Sequence, residues 1–518
     1  MNHKRSKNQK FLTYFFIILS NLSWFIFGLG KAESRLLKLD QKIMLLTSSK
    51  MHYFDMSTFE AAWNHHTPPI FYIFKLIFIF SDYSNIDFGF YVLYSLLLLL
   101  ISLLLFDICY KLTSQKMISF LLSMVYVVDL SSTTLGGNVI FDNRTIGMVF
   151  QCLILLFAYK LLLNQNKQNT VFFGTAVFLQ VLFLESYLAS CGLLFLYLLY
   201  KLRKKLEFII YFFTTNISLL AIAIIIFWQR SELIDVLFLN YQFHFDSIGI
   251  GTSSKINLVE LSKFGIFYNW DHNQFAHVLS SIFIFMFLFF KDNLKIKNDA
   301  KEMFSLIIAY YLFEIVHLFL TGPRFTNYLQ VILLLQYLII FIFIYFILSF
   351  FNIKTLSSNL IFSFIFIIMF FAFQFGDVVY TRTSILDQSY LKAAEEISQD
   401  SKVSKFLYED GDPKLILSWI SNESWDDIYL KSNKLPATRM WWWFEMKYIE
   451  EIYEWKNNRY YNSNLENIFL QDLKIDKPFY AVIEDTYNKP PDFFLEVIEK
   501  DYEFIDKIDN YSVYILSK

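Results

Sequence analysis

Apolar residues arrive along this chain in long blocks separated by short polar stretches. Blocks of about the 20 residues that cross a bilayer run over 11–30, 88–110, 117–135, 145–163, 207–228, 276–290, 303–320, 328–350 and 360–376. The stretch 171–200 is too long for one helix and is interrupted by Glu185-Ser186, so it reads as two short spans turning at that pair. The pattern predicts an α-helical polytopic membrane protein of eleven spans, with a membrane domain over 1–379. From about 380 the pattern changes. DQSYLKAAEEISQD reads as a helix, PKLILSWIS and KPFYAVIED as strands, NSNLENIFLQDL and PDFFLEVIEKDY as helices, and YSVYILSK as a closing strand. Alternation of this kind predicts a small soluble α/β domain over 380–518. It has no Gly-rich phosphate loop, GDP at 411–413 being a turn, and the chain shows no internal repeat.

Charge then sets the expected orientation, because cytoplasmic loops collect Lys and Arg. Lys4, Arg5, Lys7 and Lys10 precede the first block, and the loops around Lys111/Lys116, Lys160/Lys167, Lys201–Lys205 and Lys291–Lys301 are also basic. Placing all of these inside gives one consistent zigzag. It puts 31–87, 129–144, Glu185, 229–275, 321–327 and the C-terminal domain outside. Residues 68–80 (PPIFYIFKLIFIF) break the parity if counted as a span. They are short for crossing and run into the polar SDYSNID, so they read as an amphipathic or re-entrant helix at the outer interface. The N-terminal block has no small-residue cleavage site after it and reads as a retained span.

Composition adds little beyond this. Of 518 residues 56% are hydrophobic, 18% are charged and the formal net charge is −2, so no basic excess points to nucleic acid. The mean hydropathy is +0.41. Cys109, Cys152 and Cys191 all fall inside apolar blocks, which argues against a disulfide framework or a thiolate metal site. The 61 Phe, with many Ile, Lys and Asn, look like AT-rich coding rather than a functional aromatic signal.

The polar residues near the bilayer carry the functional signal, since such residues are costly and mark sites. The first outer loop holds Glu33, Arg35, Asp40, Asp55, Glu60, His65 and His66; the second holds Asp129, Asp142 and Arg144; the loop TGPRFTNY holds Arg324. Three loops on one side of a helical bundle suit a substrate that lies in the membrane.

These segments carry a resemblance. WNHHTPPIFYIFKL (63–76) resembles the His-Pro-Pro-Leu or Lys-Pro-Pro-Leu segment of protein O-mannosyltransferases and of the aminoarabinose transferase that modifies lipid A, which are membrane glycosyltransferases of the GT-C type using polyprenyl-phosphate sugars. In that family an acid precedes the Pro-Pro pair by some 25–30 residues, and Asp40 lies 28 before Pro68. FDNRTIGMVFQCLILLFAYKLL (141–162) resembles the segment opening the fourth span, with Asp142 in the place of the family's Asp. TGPRFTNYLQVILLLQYLII (321–340) is similar to the Arg-containing segment before a late span, with Arg324 and Tyr328 matching and Asn327 in place of His. LPATRMWWW (435–443) looks like a segment recurring in the outer domains of bacterial relatives. Two positions depart from the pattern: the usual Asp-Glu pair is Asp40-Gln41, and Thr67 stands where the lipid A enzymes have a Lys that meets phosphate.

The resemblance implies a transferase of the plasma membrane moving sugar from a polyprenyl-phosphate donor to an extracytoplasmic lipid, glycan or protein. It implies Asp40 and Asp142 as catalytic carboxylates, with Asp40 the general base of an inverting displacement. Arg324, His66 and His65 are the candidates for the donor phosphate, and Asp55 and Tyr328 for substrate contact. No cofactor is firmly implied; a divalent metal is compatible, although no ligand cluster is visible and His65-His66 lack an i,i+4 partner. Plainer roles compete: Asp40 as a solvated loop acid, Asp142 as a helix cap, Pro68-Pro69 as helix starters, Arg324 and Lys75 snorkelling to headgroups. Trp441–Trp443 read as an aromatic belt resting on the membrane or as a sugar platform, and Asp107 as a bundle contact. A transporter and a non-catalytic envelope assembly protein are the other function classes.

Overall fold

The structure is a computed structural model of the chain. It describes residues 13–22, 39–62, 68–130, 143–183, 187–230, 273–294, 296–321, 330–350, 401–421, 424–439, 441, 465–475, 477–487 and 489–517, with the single residues 233 and 361. The described part is mostly helical, with one small sheet near the C-terminus. Among the described residues three helices are long and apolar enough to cross a membrane: Phe88–Thr113, Thr145–Leu163 and Lys205–Gln229. The last shows what solvent the chain is built for. Leu206, Ile217 and Trp228 along it are 70%, 63% and 72% exposed. In water, large apolar side chains left open along a whole helix forgo about 1.5–3 kcal/mol each; in hydrocarbon they lose nothing. The protein is a membrane protein.

The chain divides into two compact units. One comprises Met1–Gly30, Tyr94–Ile226 and Phe243–Tyr390; the other comprises Lys31–Leu93, Phe227–Gln242 and Leu391–Lys518. The sequence pattern groups residues 31–87 with the apolar blocks, whereas here they share a unit with the C-terminal sheet.

The first unit is a helical bundle. Its helices are α1 (Thr13–Leu22), α5 (Ile86–Thr113, which starts in the other unit), α6 (Lys116–Leu130), α7 (Asn143–Leu163), α8 (Lys167–Phe183), α9 (Leu188–Lys201), α10 (Lys205–Gln229, whose last residues belong to the other unit), α11 (Asn273–Phe290), α12 (Asn298–Thr321) and α13 (Gln330–Phe350). The long apolar stretch 171–200 is two helices, α8 and α9, divided next to the Glu185-Ser186 pair. The Tyr14 hydroxyl donates to Asp107 Oδ1 at 2.7 Å, which makes Asp107 a tie between α1 and α5. The basic helix ends gather at one end of the bundle. Gln165 after α7 donates to Lys204 O and accepts from Lys204 N at 2.6 and 2.9 Å. Lys201 pairs with Glu302 on α12 at 3.6 Å, and Tyr345 on α13 donates to Thr113 O at the end of α5 at 3.0 Å. The predicted span 360–376 lies outside the described residues.

In the second unit, α2 (Leu39–Tyr53), α3 (Thr58–Ala61) and α4 (Pro68–Lys75) precede a five-stranded sheet. A 3-10 turn, Leu76–Ile79, extends α4 to 12 residues. At roughly 1.5–2 Å per residue that is well short of the ~30 Å hydrocarbon core. Gly89 in α5 lets this turn approach: a Cβ there would lie 2.9 Å from Ile77 O and 2.6 Å from Ile77 Cγ2.

The sheet comprises β1 (Lys414–Trp419), β2 (Lys434–Pro436), β3 (Tyr480–Glu484), β4 (Tyr502–Ile508) and β5 (Tyr511–Leu516), in the order β2-β1-β3-β5-β4. β1 is parallel to β2 and β3, and β5 is antiparallel to β3 and β4. Alternation along β1 sends Trp419 to one face, 5.8 Å from Phe494, and Ser418 to the other, where it meets the Tyr429 hydroxyl at 2.5 Å. Three short helices flank the strands: α14 (Lys402–Leu407), α15 (Leu465–Ile475) and α16 (Asp492–Asp501). The four segments read as strand or helix between 413 and 502 take those forms, and the closing strand is β5. Two strands go beyond that reading. β2 has three residues, too few for periodicity to show, and β4 begins at Tyr502, directly where the amphipathic pattern of α16 runs out. The helix expected over 387–400 lies outside the described residues.

Candidate functional site

Helix α2 is where the candidate chemistry of the first loop is organised. Its sequence, LDQKIMLLTSSKMHY, has no apolar stripe, yet every residue from Gln41 to Met51 is buried. A surface helix keeps its polar residues on one face; this one is enclosed on all sides and must satisfy them internally. Ser48 Oγ donates to Phe71 O at 3.0 Å, and Lys75 Nζ donates to Met51 O at 3.1 Å. His52 stacks on Phe78 with ring centroids 4.4 Å apart. The paired positions 48 with 71, 51 with 75 and 52 with 78 advance together, so α2 and α4 run parallel with their N-termini at the same end. That brings Asp40, in the first turn of α2, and Pro68, the first residue of α4, to one end of the helix pair.

The far end of α2 is bound to the sheet's edge strand. Lys50 is fully buried, and its Nζ donates to Thr438 O at 3.2 Å. Tyr83, in the 3-10 turn that precedes α5, donates its hydroxyl to Lys434 O in β2 at 2.9 Å. Trp441 Nε1 donates to Ala61 O at 3.3 Å, and its ring lies 4.8 Å from Trp425. An edge strand presents unpaired backbone groups; here first-loop side chains take up carbonyls of β2 and of the segment following it. Arg439 anchors that segment, reaching Asp472 through Nη2 at 2.7 Å and Nε at 2.9 Å while its backbone N–H donates to the same carboxylate at 2.8 Å. Burial pushes the Lys50 amine down to about 7; the Asp472 carboxylate opposes the shift and the Arg439 guanidinium adds to it. Trp441 is therefore a core residue rather than part of a membrane belt or a sugar platform, being 3% exposed. Trp442 and Trp443 lie outside the described residues.

The remaining candidates divide as follows. Asp40 lies in a helix rather than a loop. Asp55 is exposed, with φ +49°, two residues past the end of α2. His65, His66, Asp142, Arg324 and Tyr328 lie outside the described residues, but helix ends bracket three of them. α7 begins at Asn143, α12 ends at Thr321 and α13 begins at Gln330. α7 packs against both α12 and α13. Because the opposite ends of these helices carry the basic contacts described above, the three ends next to Asp142 and to 322–329 share the other end of the bundle.

Two buried polar groups of the bundle escaped the sequence reading. Glu314 on α12 is 3% exposed, facing the Ser190 and Tyr310 hydroxyls, and Tyr310 donates to Gln180 at 3.1 Å. Gln151 on α7 is fully buried, with no hydrogen bond from either amide atom among the described residues. Glu314 had a readable signal, an acid inside the apolar block 303–320. Among the described residues no group of three or more His, Cys, Asp or Glu side chains is placed to hold a metal. No protein-family profile matches the chain, and no curated protein matches it either.

Proposed function

We propose that this protein is a membrane glycosyltransferase that takes a sugar from a polyprenyl-phosphate donor and attaches it to an acceptor outside the cytoplasm. The observation that carries the reading is the parallel pairing of α2 and α4, which sets the first turn of α2, with Asp40, at the same end as Pro68. These are the two first-loop segments that resemble GT-C enzymes. The bracketing of Asp142 and of the Arg324 loop at one end of the bundle supports the reading from the other unit.

In this mechanism the acceptor hydroxyl is held against Asp40, whose carboxylate takes the proton as oxygen attacks the anomeric carbon. The bond from that carbon to the phosphate oxygen breaks, and polyprenyl phosphate leaves as an anion. Arg324 is assigned to that phosphate, where its planar fork donates to two oxygens, with His66 and His65 beside it. Asp55 and Tyr328 contact substrate, and Asp142 completes the acidic side of the site. One base and direct displacement invert the anomeric centre; retention requires a second, nucleophilic carboxylate.

The bundle crosses the membrane eleven times in this account, with the basic helix ends in the cytoplasm and the sheet outside. Cysteines placed at Ser81 and Ser401 should then be labelled from outside in intact cells; labelling of Ser81 only after permeabilisation would refute the placement. Glu314 favours one competitor, a transporter, because a buried acid within a bundle suits an ion path. Purified full-length protein given a polyprenyl-phosphate sugar separates the two. Release or transfer of the sugar supports the transferase; an intact donor with every acceptor class offered sinks it.

A further inference from the structure

The basic end of the bundle holds a cavity of about 360 Å³ between the ends of α5 and α7, lined by Asp107, Tyr110, Lys111, Ser114, Leu156 and Lys160. Lys111 Nζ stands 5.7 Å from the Tyr159 ring centroid and Lys160 Nζ 4.9 Å from that of Phe157, so aromatic faces hold both ammonium groups beside the opening. Ser114 turns the chain out of α5 in a left-handed conformation, φ +55°, and brings its hydroxyl to the same wall. Asp107, held by Tyr14, lines the cavity one turn before Lys111 on α5.

A lysine in a helix's last turn offsets the negative end of the dipole, and Lys111 and Lys160 both sit there. That role alone calls for no concavity. Two ammonium groups, a hydroxyl and one carboxylate around a space large enough for a phosphate and its substituents match a phosphodiester that also carries hydroxyls. The two lysines meet the phosphate, and Asp107 and Ser114 receive or donate hydrogen bonds with the polar substituent. The cavity opens at helix ends whose neighbours α5 and α7 are long enough to span the bilayer, which puts it at headgroup depth. We infer that this cavity is a binding site for the headgroup of an anionic phospholipid, in the leaflet on the basic side. The inference rests on the protein spanning a membrane and is independent of the transferase reading.

Full-length protein in nanodiscs of phosphatidylcholine, with and without phosphatidylglycerol, tests it by thermal unfolding and by native mass spectrometry of retained lipid. Phosphatidylglycerol should raise Tm and remain bound, whereas inorganic phosphate added to phosphatidylcholine discs should do neither. Each lysine near an anionic surface is worth about fivefold in affinity, so Lys111→Gln with Lys160→Gln should weaken lipid retention roughly 25-fold and abolish the Tm gain. Lys116→Gln, outside the cavity, should cost no more than the roughly fivefold of one surface lysine and should keep the Tm gain. A double variant that loses equal Tm in both kinds of disc and still retains phosphatidylglycerol would reduce the two lysines to dipole compensation and overturn the proposal. A Tm gain from inorganic phosphate alone would overturn the lipid assignment.

Discussion

Replacing Lys50 with methionine should stabilise the sheet-bearing unit, and by more at pH 7 than at pH 9. Folding moves this amine from water, where it titrates near 10.5, into a site where burial holds it at about 7. Between those values the unfolded chain binds more protons than the folded one, so stability rises with pH across the window. Below about pH 7 both states are protonated and the penalty is at its full, constant size. The shift corresponds to about 4 kcal/mol opposing folding at pH 7 and about 2 kcal/mol at pH 9. Methionine keeps most of the buried stem and removes the charge, but it leaves Thr438 O without its donor, a loss of about 1–3 kcal/mol. The two effects therefore nearly cancel at pH 9 and leave a net gain at pH 7. Thermal unfolding of the detergent-solubilised full-length protein, followed by tryptophan fluorescence, reads this directly, because Trp419, Trp425 and Trp441 are buried in this unit. Wild-type Tm should climb by about 4–8 °C from pH 7 to pH 9, at roughly 2–4 °C per kcal/mol, and the variant's should climb much less. Parallel pH profiles for the two proteins would refute the reasoning.

Two further substitutions probe the packing. Asp472→Asn breaks a buried carboxylate's bonds to Arg439 and should cost about 3–5 kcal/mol, seen as a Tm fall of roughly 6–20 °C; a fall under 2 °C would show that the anchor contributes little. Gly89→Ala should cost about 1–3 kcal/mol because its Cβ meets backbone at Ile77. Gly192→Ala on α9, where a Cβ meets nothing within 4 Å, should be neutral or stabilising by up to about 1 kcal/mol. Equal effects at the two glycines would contradict the close approach.

The helical blocks among the described residues were legible because each carries enough consecutive apolar residues to dominate any other pattern, and even the break near Glu185 was marked by its polar pair. The strands of the small domain were legible where they alternate over five or more residues. What stayed hidden depends on contacts made far along the chain. LDQKIMLLTSSKMHY has the look of a solvated segment, and the residues that help to enclose it, among them Phe71, Lys75 and Thr438, lie up to 388 residues away. Trp441 in the run 441–443 has the composition of a membrane belt, but its indole N–H is taken by Ala61 O inside the unit. The parallel packing of α2 beside the Pro68 helix was not legible. Spacing along the sequence does not encode the direction in which two helices pack; the contacts at 48, 51 and 52 supply it.

The central claim is that Asp40 is the base of a sugar transfer, and Asp40→Asn tests it most directly. The amide keeps the size and hydrogen bonding of the carboxylate but cannot take the acceptor's proton. With purified protein and a radiolabelled polyprenyl-phosphate sugar, the account predicts that turnover falls by about 10²–10⁴-fold while donor binding survives. Near-normal turnover by Asp40→Asn, with loss of activity in the amide variant of Asp55 or Asp142 instead, would contradict it.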